Sequence, residues 1–143
     1  MTFAMAVALR PVSIQGESTK RFARALREEA VSRFASDSPL AGDLYARIVW
    51  LYRRNPADVD NIIKPILDAL KGVVYADDHA IVKCSSERVD TTRDYDLDYV
   101  GAPPNVANEL DSLLIQSHEH ILYVEVGSLS SRHVASGPID GGV

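Results

Sequence analysis

The chain has 143 residues, 46% hydrophobic and 24% charged, the composition of one ordinary folded domain with a real core. This excludes a disordered acidic chain, a collagen-like chain and a disulfide scaffold. Net charge is −5 and uneven: residues 1–57 carry nine Lys/Arg against five Asp/Glu, residues 58–98 five against ten, and residues 99–143 one against five. An acidic total argues against simple coating of nucleic acid, yet leaves room for a nuclease whose carboxylates are neutralised by a bound cation.

Residues 3–9 form the longest apolar run, seven residues, which predicts a buried strand and is too short to span a membrane. No Lys or Arg precedes it and Arg10-Pro11 follows, so no signal peptide is expected. Ser18 is a suitable cap for a helix over residues 18–34, with Phe22, Leu26, Ala30 and Phe34 along its inner stripe. On the opposite arc Lys20, Arg24 and Arg27 form a candidate phosphate-tracking face, with a plain solvated face the equal alternative. Residues 44–53, rich in aromatic and β-branched side chains and including Trp50, read as a central strand.

A second helix is predicted over residues 61–71, with Ile62, Ile63, Ile66, Leu67 and Leu70 on one face and Gly72 ending it. Pro65 is tolerable there only close to the helix start. Residues 73–75 and 81–89 are expected to pair as strands around the turn Ala76-Asp77-Asp78-His79. The single cysteine, Cys84, is expected to be a small buried strand residue in a reducing, cytoplasmic setting. A third helix over residues 105–116 carries Val106, Leu110, Leu113 and Leu114 on one side, and residues 121–126 give a last strand. The domain is expected to span residues 1–126, with 127–143, containing four Gly, four Ser and Pro138, a flexible tail. Alternating strands and helices predict an α/β or α+β fold.

The chemistry concentrates between Asp58 and Asp78. In an extended lead-in Asp58 and Asp60 point to one side, at the mouth of a helix whose dipole favours negative charge. Lys64, one turn on, can reach back to the same point, and one of Asp77 and Asp78 can join from the following turn. Three carboxylates and an ammonium around a gap suit a hard cation such as Mg²⁺, which keeps water and substrate phosphate as its other ligands. Taken singly, the residues have plainer readings: Asp60 as a helix cap, Lys64–Asp68 as a surface pair, Asp77-Asp78 as a turn. Elsewhere, Asp94, Asp96 and Asp98 lack the Gly and Glu that a calcium loop needs, and His118 and His120 find no partners for a zinc set.

The string D-x-D-N-x-x-K-P-x-x-D-A-L-x-G-V-x-Y-x-D-D resembles the signature of RusA-type Holliday-junction resolvases, small phage-derived endonucleases. Asp58, Asp60, Asn61, Lys64, Pro65, Asp68, Ala69, Leu70, Gly72, Val73, Tyr75, Asp77 and Asp78 carry it, over about 21 residues. The resemblance implies a homodimer with a small mixed sheet, Mg²⁺ dependence and paired nicks across a four-way DNA junction in recombination and repair. It implies Asp58, Asp60 and Asp78 as the metal-binding carboxylates, Asp77 as secondary, Lys64 as the essential lysine, and Asp68 and Asn61 as more structural. Arg53 and Arg54, upstream of Asp58, join the candidate DNA contacts. Two alternatives stand beside this expectation: a domain that binds branched DNA without cutting, and a metal-dependent hydrolase of another phosphate ester. Membrane association is not expected.

Overall fold

The computed structural model describes residues 2–12, 16–34, 38–54, 56–98 and 102–129. Strand β1 (Thr2–Val7) leads to helix α1 (Gly16–Arg33), strand β2 (Leu44–Tyr52), helix α2 (Ile63–Leu70), strand β3 (Ile81–Asp90), helix α3 (Pro104–Ile115) and strand β4 (His120–Ser128). The four strands form one mixed sheet in the order β1-β4-β2-β3, antiparallel except for the parallel β2–β3 pair. The fold is α+β, as the alternation predicted. Among the described residues no helix is long and apolar enough to cross a membrane.

Alternation along the strands divides the core. Met5, Leu44, Ile48, Trp50, Leu122 and Val124 point to one face, where α1 and α2 cover them with Phe22, Leu26, Ala30, Ile62, Ile66 and Leu70. Phe34 closes the edge of this layer, its ring edge-on to Phe3 at 5.7 Å. On the other face α3 brings Leu110 against Ala6, Leu51 and Ile121. Beside α3 that face opens into a groove of about 260 Å³ bordered by Arg47, Glu87, Leu97, Tyr123 and Glu125. Here Glu125 accepts hydrogen bonds from both Tyr45 and Tyr123.

Several expectations need correction. Helix α1 begins at Gly16, so Ser18 lies inside its first turn and is not the cap. Helix α2 starts at Ile63, after Ile62, which makes no side-chain cap. Pro65 is then its third residue, among donors that lack an intrahelical partner, and the first helical bond runs from Ile66 N to the Ile62 carbonyl at 3.3 Å. The expected hairpin is absent: residues 72–75 coil tightly and β3 pairs in parallel with β2. Gly72, at φ 84°, turns the chain, and its N–H bonds back to the Tyr75 carbonyl at 2.7 Å. Val74 and Tyr75 are both fully buried, which two successive residues of a one-sided strand cannot be. Cys84 is exposed, since β3 is an edge strand. β4 runs through Gly127 to Ser128, past the expected start of the tail, while residues 130–143 lie outside the described residues.

Candidate metal and phosphate site

The lead-in to α2 is not extended. Asn61 N bonds to the Asp58 carbonyl at 3.2 Å and Ile63 N to the Asp60 carbonyl at 3.4 Å, so Asp58 and Asp60 open two successive turns. The delay arises because Ile62 is drawn fully into the core, and the chain must turn to bring it there before helical bonding begins. This segment lies over the helix-covered face of β3. Ser86 Oγ donates to the Val59 carbonyl at 3.0 Å, and Arg88 Nη1 to the Ala57 carbonyl at 2.9 Å. Residues 57 to 59 thus descend β3 from Arg88 past Ser86, toward Cys84.

The second half of the site comes from the coil after α2. Tyr75 packs beneath α2, and its hydroxyl donates to the Leu67 carbonyl. Burial, and then the nearby charges of Asp78, Asp68 and Cys84, push the Tyr75 phenol up. Tyr75 is thus within electrostatic reach of Asp78, Asp68 and Cys84. Asp78 opens a short 3₁₀ turn over Asp78–Ala80, which the Asp77 carboxylate caps by accepting from His79 N at 3.2 Å. Asp77 is held low first by that backbone bond, then by its interactions with the Asp78 side chain and the Lys71 charge.

Lys64, on the first turn of α2, does not reach back to Asp60 but pairs with Asp68 at 3.3 Å, and both side chains are exposed. Asp60 is not a helix cap, whereas the pairing of Lys64 with Asp68 and the capping by Asp77 are present as the plainer readings had them.

Among the described residues no three His, Cys, Asp or Glu side chains come together in a group that could hold a metal ion. The donors nevertheless fit Mg²⁺ in kind. Asp58 and Asp60 are exposed carboxylates and Asp78 is half-exposed, all hard oxygen donors. Mg²⁺ is commonly held by one or two carboxylates, with water and substrate phosphate completing its shell, so a closed protein cage is not required.

The basic residues divide. Arg27 donates to the carbonyls of Ala69 at 3.4 Å and Lys71 at 2.6 Å, tying α1 to the C-terminal end of α2. Lys20 pairs with Glu17 at 3.4 Å and Arg24 is exposed on the same helix. Arg53 reaches the Ser117 carbonyl at 3.4 Å and Arg54 pairs with Glu119 at 2.9 Å, at the end of β2. His120 is tied to the core: its Nδ1 accepts from Trp50 Nε1 at 3.1 Å. Ser86 and Arg88 escaped the sequence reading. The available signal was a strand that places polar residues at positions expected to face a core.

Two comparisons with known proteins bear on the site. The family model described as Endodeoxyribonuclease RusA matches residues 12–95, a span that holds Asp58, Asp60, Lys64, Asp77 and Asp78. No curated protein matches the chain.

Proposed function

The chain belongs to the RusA endodeoxyribonuclease family, and from that premise we propose that it is a Mg²⁺-dependent endonuclease that resolves four-way DNA junctions in recombination and repair. The observation that supports this reading is that Asp58, Asp60 and Asp78 all lie within the matched span, with the lead-in that bears Asp58 and Asp60 bonded to β3 through Ser86 and Arg88. Asp58, Asp60 and Asp78 hold the cation, with Asp77 contributing mainly through the turn it caps. Bound there, Mg²⁺ supplies positive charge to the phosphoryl oxygens and lowers the pKa of a water. Lys64, exposed on the first turn of α2, exchanges Asp68 for a phosphate oxygen when DNA is bound. In that position its ammonium offsets charge that develops as the P–O bond breaks. Arg24, Arg53 and Arg54 lie exposed to contact the DNA backbone, with Lys20; Arg27 acts chiefly as a support for α2.

One chain offers one carboxylate set, whereas a junction has two symmetric strands to cut, so the active form is a two-fold homodimer. The test is incubation of the purified protein with labelled four-way junction, matched duplex and single strand, with and without Mg²⁺, alongside light scattering. Paired nicks confined to the junction and to Mg²⁺, from a dimer, are the expected result. Junction binding without nicks would make the chain a non-cleaving binder. Hydrolysis of small phosphate esters alone would favour the reading that the net charge of −5 suits, a hydrolase of other phosphates.

A further inference from the structure

The positions of β3 that face the helix-covered side are Cys84, Ser86 and Arg88, opposite Ala46, Ile48 and Trp50 of β2. All three β2 partners are buried and apolar, yet two of the three β3 positions, Ser86 and Arg88, are polar. The reason is what covers β3. A helix would present side chains, but the chain over β3 is the backbone of residues 57–60, and backbone carbonyls need donors. Ser86 and Arg88 supply them, at 3.0 Å and 2.9 Å.

The carbonyls concerned are significant. The Ala57 carbonyl belongs to the peptide plane that enters Asp58, and the Val59 carbonyl to the plane that enters Asp60. The planes that leave the same two residues are fixed by the turn, through Asn61 N on the Asp58 carbonyl and Ile63 N on the Asp60 carbonyl. Four successive carbonyls are thus engaged, and both backbone dihedrals of each aspartate are constrained before any cation arrives.

We propose that Ser86 and Arg88 are positioning residues for the carboxylates of Asp58 and Asp60, an inference that rests on the metal-site reading above. They fasten the lead-in to β3, the strand into which the turn opened by Asp78 runs directly, so the segments that bear the donors are tied to one strand. Preorganising ligands through groups that do not touch the cation commonly accounts for about 10–100-fold in metal affinity.

The experiment uses the full chain and pairs Ser86→Thr with Ser86→Val, which match in shape and differ by a hydroxyl, beside Arg88→Met, Asp60→Asn and wild type. Mn²⁺ binding is read without DNA from the loss of free-ion EPR signal. The Mg²⁺ concentration for half-maximal junction cleavage is read separately, and thermal melts identify any variant that has lost its fold. Ser86→Val and Arg88→Met are expected to weaken Mn²⁺ binding about 10-fold or more and to raise the Mg²⁺ requirement in parallel. Ser86→Thr is expected to stay with wild type. If Asp60→Asn loses Mn²⁺ while folded Ser86→Val binds it like Ser86→Thr, the positioning role is overturned and the metal site stands. If Asp60→Asn itself binds Mn²⁺ like wild type, the site reading fails and takes this inference with it.

Discussion

Trp50 is the only tryptophan, fully buried, and its indole N–H has His120 Nδ1 as acceptor at 3.1 Å. That bond requires an unprotonated Nδ1. Burial, and then the charge of Arg10, hold the imidazole below its ordinary pKa, against a smaller upward pull from Glu119. A histidine whose folded pKa is depressed contributes stability that is present above the unfolded value of about 6.5 and is lost as pH falls through the folded value. Protonation leaves a buried indole donor unsatisfied, which costs about 1–3 kcal/mol. The ring is only partly buried and water can replace some of the bond, so about 1 kcal/mol is the better expectation. For a domain of this size that lowers the melting temperature by about 3–4 °C. The comparison is wild type against His120→Asn, whose side-chain oxygen can replace Nδ1 as acceptor but cannot titrate. Melts and tryptophan emission are recorded from pH 7.5 to pH 5.0. Wild type should lose the additional few degrees and shift its emission, while His120→Asn should show only the loss common to other groups. Identical pH profiles for the two proteins would refute the assignment.

Lys64→Ala should depress the single-turnover cleavage rate by about 10²–10³ with less effect on junction affinity; weakened binding at an unchanged rate would reduce Lys64 to a backbone contact. Burial and the hydrogen bond to Glu125 push Tyr45 up to about 12, so its contribution to stability is present below about pH 10 and is lost as pH rises through about 12. Tyr45→Phe should therefore flatten the alkaline end of the stability curve in denaturant titrations at pH 9 and pH 11.5. A Cβ at Gly127 would lie 2.6 Å from a Tyr45 ring carbon, so Gly127→Ala must displace that ring and its bond to Glu125, destabilising by about 1–3 kcal/mol in the same titrations.

The sequence was most legible where a local pattern decides the outcome. Phe22, Leu26 and Ala30, and then Ile62, Ile66 and Leu70, mark the buried faces of α1 and α2 because helical spacing alone brings them together. The family was legible because its residues are contiguous from Asp58 to Asp78. What failed depends on the rest of the fold. Residues 73–75 are too few for periodicity to separate a strand from a coil, and nothing local tells β3 to pair in parallel with β2. The turns at Asp58 and Asp60 follow from the pull of the core on Ile62. Polar residues at the core-facing positions of β3 were a signal that Ser86 and Arg88 differ from their neighbours, but which backbone carbonyls they meet is a tertiary fact that no local pattern encodes.

The central claim is that Asp60 and Asp78, brought to β3 from separate loops, serve one cation and one cleavage reaction. Single-turnover cleavage of a labelled four-way junction by Asp60→Asn and by Asp78→Asn, in proteins whose melts match wild type, tests it most directly. A neutral amide of nearly the same shape is a poor Mg²⁺ ligand, so both variants should be inactive, while Asp77→Asn should retain measurable cleavage. Nicking near the wild-type rate by either of the first two, or an inactive Asp77→Asn beside an active Asp78→Asn, would contradict the assignment.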